Sequence, residues 1–340
     1  MKGVTDKTQL SKFRRGPDVR LRIRRKLYRW FKRYGRDLPW RRTRDPYAVM
    51  VSEFMLQQTT VSAVIPYYER WLARFPTFES LALAAEKDVL AIWQGLGYYS
   101  RARNLRQAAI AIVENAAGEI PRSALELRRL PGVGEYTAAA VAAFAFDMVV
   151  PVIDSNVARL LVRLHNWQAP LDNAAGRAFL SSAARCLLPR VGGHLHNSAL
   201  MELGALICKA RGPKCPQCPI RRECAAQRPE QLPVRKPRCA LARVSEARAF
   251  IFEEGKLWLE ASSGPRWRGM WLLPQASSMQ RKADHLEVYP VTRFQVTMSV
   301  FCEPVNGRDL IGYFPEALPP MPSPHRRVVA AMLQRVHTQE

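Results

Sequence analysis

Leu125–Phe144 reads LELRRLPGVGEYTAAAVAAF. Two patterns with apolar residues at three- and four-residue steps meet at Pro131-Gly132-Val133-Gly134, which predicts a helix, a tight turn and a second helix. Gly132 and Gly134 can take positive φ and leave backbone N–H groups bare at the start of the second helix, so the turn is an anion site without any side-chain charge. Alanines at 138, 139, 140, 142 and 143 let a neighbouring helix approach closely. By itself a GVG turn is an ordinary helix–helix connection, and the charge of the rest of the chain decides its reading.

Against 52 Lys and Arg stand 29 Asp and Glu in 340 residues, a formal net charge of +23 and a pI near 10.3. Such a balance points to a polyanion, nucleic acid first, as partner. The excess is greatest in residues 1–44, which hold 17 Lys or Arg and three Asp or Glu. A hydrophobic content of 48% over this length excludes a disordered chain and allows more than one domain. The N-terminal MKGVTDKTQLSKFRRG has basic residues with no apolar segment behind them, and the longest apolar run, Ala138–Phe146, is too short to span a bilayer. The expectation is a soluble intracellular protein, cytoplasmic and nucleoid-associated, with no membrane contact.

From about Val19 to Leu206 the pattern is helical, with Pro or Gly where helices end. Asp45-Pro46 is expected to cap and open a helix carrying YAVMVSEFMLQQT, and Pro66 to sit near the start of the next. Further helices are predicted over 86–94, 100–115, 123–130, 136–146, 155–165 and 174–187. QRPEQLPVRKPRC, with three prolines, reads as a linker. Beyond it ARAFIFEEGKLWLEAS alternates around a Glu-Glu-Gly turn, VTRFQVTMSVFCEPV reads as a strand, and a helix is expected around His325–Val336.

Seven cysteines are unevenly spaced, and four fall in CKARGPKCPQCPIRREC. Cys208, Cys215, Cys218 and Cys224 leave gaps of six, two and five residues, a spacing that can hold either zinc or a [4Fe–4S] cluster. Cys186, Cys239 and Cys302 have no such partners and read as buried small residues.

The hairpin resembles the helix-hairpin-helix of base-excision DNA glycosylases, and PVIDSNVARLLVRL follows at the distance of that superfamily's catalytic-Asp loop. The cysteine gaps match the iron–sulfur loop of its endonuclease III and MutY branch. Tyr136 stands where bifunctional members carry a Schiff-base lysine; with SEFMLQQT (52–59) and GLGYYSRARNL (95–105) it is similar to the MutY-type adenine glycosylases over roughly residues 25–225. The resemblance implies a basic tail (1–18), a mainly α helix-hairpin-helix glycosylase domain with a [4Fe–4S] loop (19–226), a linker (227–245) and a smaller α+β Nudix-like domain (246–340). It also implies a monofunctional enzyme, acting as a monomer on double-stranded DNA that contains a mispaired or damaged purine, adenine opposite 8-oxoguanine above all.

Residue by residue, Glu53 matches the acid that protonates the leaving base, and Asp154 the carboxylate that stabilises the sugar cation. Tyr136 and Asn156 match their orienting partners. Gln58 and Tyr98 match residues that fill the DNA stack, and Gly132 and Gly134 the phosphate-binding turn. Alone, an Asp in VIDSN is a helix cap and a Glu in a helix a surface charge; their joint order carries the reading. The C-terminal part departs from the family's lesion-reading loop, His-x-Phe-Ser-His, which corresponds here to Val296–Val300 with only Ser299 kept. Two alternatives therefore stand beside the first reading: a relative with shifted substrate or opposite-base specificity, and a catalytically silent iron–sulfur DNA-binding protein.

Overall fold

The computed structural model describes residues 16–115, 119–234, 240–264, 266–277, 281–305 and 309–339. The chain forms two compact units, Met1–Tyr68 with Gln107–Pro237, and Glu69–Arg106 with Arg238–Glu340. Cys239, and all but the last three residues of the basic tail, lie outside the described residues. Among the described residues no helix is long and apolar enough to cross a membrane.

In chain order the helices are α1 (Pro17–Tyr34), α2 (Pro46–Met55), α3 (Val61–Arg74), α4 (Phe78–Leu83), α5 (Glu86–Trp93), α6 (Ser100–Asn115), α7 (Ala124–Leu127), α8 (Glu135–Phe146), α9 (Ser155–His165), α10 (Ala174–Leu187) and α11 (Gly193–Leu206). Several begin at a side-chain cap. Asp45 accepts hydrogen bonds from the Tyr47 and Ala48 amides ahead of α2, and Asn173 accepts one from the Gly176 amide ahead of α10. One expectation fails: Pro66 lies inside α3, five residues after its start. Its ring forfeits a backbone bond there, a loss this otherwise amphipathic helix tolerates.

α2 is buried from Tyr47 to Met55, so it is a central helix and any charge on it is buried too. The alanine-rich α8 packs against α2 and α7, with Ala138, Ala140, Ala142 and Ala143 at 0–1% exposure. A second core joins Ile23, Leu27 and Trp30 of α1 to Leu160, Leu161 and Leu164 of α9, Phe179 of α10 and Leu203 of α11. The basic α1 is fixed by its own cations. Arg20 and Arg24 donate to carbonyls at the end of α10, and Lys26 pairs with Glu223 at 2.7 Å.

In the other unit β1 (Ala242–Phe250) pairs parallel with β6 (Phe294–Cys302), which pairs antiparallel with β5 (His285–Val291). A second sheet joins β2 (Phe252–Glu253), β3 (Lys256–Ala261), β4 (Trp271–Leu272) and β7 (Ile311–Tyr313). The expected Glu-Glu-Gly turn links β2 to β3, with Glu254 at φ 52° and Gly255 at φ 71°. Helix α12 (Ser323–Gln339) contributes Val328, Val329 and Met332 to a core with Val296, Met298 and Val300 of β6.

The strand expected over 291–305 is present, and it is the separate match of residues 296–300 to a loop that this core corrects. They form the middle of β6, and Val296, Met298 and Val300 are 0% exposed. Ser299 lies on the opposite, half-exposed face, paired with Ala247 and Leu286. The expectation of buried cysteines also fails, since Cys302 is exposed and Cys186 half-buried. Each stands at or next to the end of an element, where the alternation that buries a residue stops.

Candidate active site

Glu53, Tyr136, Asp154, Asn156 and Gln58 line a single cleft of about 690 Å³. α2 carries Glu53, the start of α8 carries Tyr136, and Asp154 is the N-cap of α9. The packing of α8 on α2 brings the first two together, and the loop after α8 delivers the third.

Glu53 is 3% exposed, and its Oε2 has no hydrogen-bond partner among the described residues. Burial pushes its carboxyl up to about 7, and the Asp154 carboxylate pushes the same way. The hydrogen bond from Tyr136 and the charge of Arg41 oppose the rise without cancelling it. Burial, followed by the nearby Glu53 and Asp154 charges, holds the Tyr136 hydroxyl protonated well above the usual tyrosine range. It is a donor in this cleft, and no amine stands in its place.

Asp154 is held by two donors. Its Oδ1 accepts the Val157 amide at 2.7 Å and its Oδ2 the Asn156 side-chain amide at 2.7 Å, at the positive end of α9. Asn156 Oδ1 in turn accepts Arg159 Nη2 at 2.9 Å, and Arg159 Nε donates to the Cys208 carbonyl at 2.7 Å. A continuous chain of hydrogen bonds therefore runs from Asp154 to the cysteine loop.

A buried ion cluster on the cleft wall escapes the sequence reading. Glu202 of α11, 0% exposed, accepts Arg36 Nε at 2.6 Å and Arg41 Nη2 at 2.7 Å. Burial raises its carboxyl, but the two arginines outweigh burial and hold it below the usual range. The available signal is an acid set among the apolar residues of ALMELGAL, a residue type that is buried only when paired.

Of the hairpin glycines only Gly132 has positive φ, 71°; Gly134 is the extended N-cap of α8, at φ −81°. No side chain caps that helix, which leaves its first amides available to a ligand. Gln58 is exposed with φ 57°. Tyr98 belongs to the other unit and is likewise exposed, at φ 49°. A left-handed backbone at a non-glycine residue costs about 1 kcal/mol, so both side chains are held out at a cost.

Among the described residues no group of three or more His, Cys, Asp or Glu side chains stands in metal-holding geometry. The four clustered cysteines are nonetheless neighbours. Burial raises the Cys218 thiol to about 12, and Cys208, Cys224 and Cys215 all add to the rise. Arg163 Nη1 lies 3.4 Å from Cys208 Sγ and also donates to the Lys209 carbonyl at 2.6 Å. Four neighbouring sulfurs, one of them within reach of the Arg163 guanidinium, form a donor set suited to a thiolate-bound cationic group.

A buried acid whose carboxyl is raised to about 7 and a second carboxyl group facing one cleft can together donate a proton to a leaving group and offset the positive charge left behind. The HhH-GPD superfamily of base excision DNA repair proteins matches residues 51–182. The adenine DNA glycosylase of Buchnera aphidicola subsp. Acyrthosiphon pisum is 33% identical over 251 residues, covering 72% of this chain and 72% of its own. That of Rattus norvegicus is 44% identical over 214 residues, covering 60% of this chain and 41% of its own. The solved structure of a thermostable thymine-DNA glycosylase superposes with a TM-score of 0.55 and 29% identity, over 61% of this chain and 96% of that one. The chain belongs to the MutY-type adenine DNA glycosylase family. It spans about two fifths of the length of its mammalian relatives.

Proposed function

We propose that the chain is a monofunctional DNA glycosylase of base excision repair that hydrolyses the N-glycosidic bond of adenine mispaired with 8-oxoguanine or guanine. The observation that carries the reading is Glu53: a buried carboxyl raised to about 7, bonded to Tyr136 and close enough to Asp154 to feel its charge. Adenine is a poor leaving group as an anion, so its departure calls for a proton, and a carboxylic acid still protonated near neutrality can give one. Asp154, held by the Val157 amide and Asn156, faces the sugar and stabilises the cation that develops as the bond breaks. Tyr136 orients Glu53. Because Tyr136 supplies no amine, no imine forms with the sugar and the strand stays intact.

Double-stranded DNA is the partner. The amides at the start of α8, behind Gly132 and Gly134, receive a phosphate, and Gln58 and Tyr98 enter the stack vacated by the flipped base. Residues 19–226 form the glycosylase region and residues 246–340 a Nudix-like region that contacts the lesion strand, with Ser299 on its half-exposed sheet face. Cys208, Cys215, Cys218 and Cys224 hold a [4Fe–4S] cluster. When bound, the cluster supplies a rigid cross-link that shapes the basic loop around it, and this chain's Arg159 and Arg163 tie that loop to α9.

The test is single-turnover release of adenine from a duplex carrying adenine opposite 8-oxoguanine. The wild-type protein is expected to release the base without cutting the strand, and Glu53→Gln to bind the duplex and release nothing. Strand cleavage without alkali, or base release by Glu53→Gln, refutes the reading.

A further inference from the structure

The segment that presents Tyr98 follows an unusual backbone path whose strain falls on Tyr98, since glycine takes positive φ freely. Gly95 (φ 106°), Gly97 (φ 70°) and Tyr98 (φ 49°) all lie in the left-handed region within four residues, between α5 and α6. Such a turn persists only if its surroundings dictate it. Arg101 is one of the groups packed against it. Although it is an arginine, it is 6% exposed. Its Nη2 donates to the Leu96 and Gly97 carbonyls, both at 3.0 Å. Its guanidinium carbon lies 5.2 Å from the centroid of the Trp93 ring and 5.5 Å from that of Tyr98. Trp93 Nε1 reaches the same Gly97 carbonyl at 3.0 Å, and the Tyr99 hydroxyl donates to the Met321 carbonyl at 3.3 Å on the far flank.

We infer that Arg101 is a positioning residue for Tyr98: its planar cation, stacked on Trp93 and bonded to the turn, sets the angle at which the exposed ring is presented to DNA. The inference rests on the reading of Tyr98 as the residue that enters the stack. Lysine keeps the charge and can still donate to both carbonyls, but it has no flat face to lay against the Trp93 and Tyr98 rings, so Arg101→Lys separates shape from charge. The burial of Arg101 also draws its guanidinium down to about 10, as removal from water does to any cation.

The test uses the full chain and a duplex with 2-aminopurine opposite 8-oxoguanine, whose fluorescence rises when the base leaves the stack. Arg101→Lys is expected to slow that rise roughly tenfold, the scale of a desolvated cation–π contact together with a hydrogen bond. Single-turnover chemistry on a duplex with an already extrahelical adenine should change far less. Tyr98→Ala should slow the rise at least as much, and the double variant no more than Tyr98→Ala alone, because Arg101 acts through that ring. Should Arg101→Lys fold poorly, Gly97→Ala perturbs the same carbonyl by another route: an added Cβ meets nothing within 4 Å, but at φ +70° it strains the backbone itself, so the turn shifts and the same slowing is expected. Tyr98→Ala effective but Arg101→Lys and Gly97→Ala silent, or additive effects in the double variant, overturns the inference alone. A silent Tyr98→Ala overturns the reading of Tyr98 and the inference with it.

Discussion

A carboxyl that is buried and raised from 4.5 to about 7 makes the folded protein less stable as it ionises. In the unfolded chain Glu53 loses its proton near 4.5; in the fold it keeps it until about 7. Between those values the native state binds more protons than the unfolded state, so stability falls as pH rises through the window. The shift of about 2.5 pH units corresponds to roughly 3 kcal/mol of stability present below pH 4.5 and lost above pH 7. Glu53→Gln cannot ionise and escapes this loss, while any constant cost of the amide is the same at every pH. The difference in unfolding free energy between Glu53→Gln and wild type should therefore move in the variant's favour by roughly 3 kcal/mol between about pH 4.5 and about pH 8. Urea unfolding of the two proteins at both pH values measures it, and titrating groups that do not interact with Glu53 cancel in the subtraction. A difference that does not change with pH would refute the claim that burial holds this carboxyl protonated.

Three further outcomes test other parts of the account. Gly204→Ala drives a Cβ to 2.8 Å from Asn156 Cβ and 2.9 Å from its carbonyl oxygen, so it should displace Asn156 from Asp154 and slow adenine release while duplex affinity holds; unchanged kinetics would sink the orienting role of Asn156. Cys208→Ser should lower both bound iron, read by visible absorbance and metal analysis, and DNA affinity, read by titration; stoichiometric zinc in the wild type contradicts the cluster. Val296→His with Val300→His places two imidazoles in a core where both positions are 0% exposed, and chemical unfolding should show a loss of roughly 2–4 kcal/mol rather than improved lesion discrimination.

Local chemistry makes much of the fold legible. Asp45 before Pro46, the Pro-Gly-Val-Gly turn and the Glu-Glu-Gly hairpin are each decided within a few residues, and each stands where the sequence places it. The four cysteines and Asp154 are legible for the same reason, since spacing and capping are local properties. What escapes depends on partners distant in sequence. Glu202 becomes part of the cleft wall only because Arg36 and Arg41, some 160 residues away, fold back onto it. Nothing in Glu69–Arg106 announces that it packs with Arg238–Glu340, because surface complementarity between segments leaves no periodic trace. The strand over 291–305 is legible from its alternation, whereas the match of Val296–Val300 to a loop rests on the order of residues alone and ignores that its valines and methionine are buried at strand period.

The central claim is that Glu53 gives its proton to the leaving base because burial keeps that proton in place. The pH dependence of single-turnover adenine release, at saturating protein, reads it directly. The account predicts a rate that is level on the acid side and falls as pH rises through about 7, with the fall moved to higher pH in Tyr136→Phe, which removes the hydrogen bond that holds the Glu53 carboxyl down. A rate that stays level through about pH 8, or a fall that Tyr136→Phe leaves where it was, contradicts it.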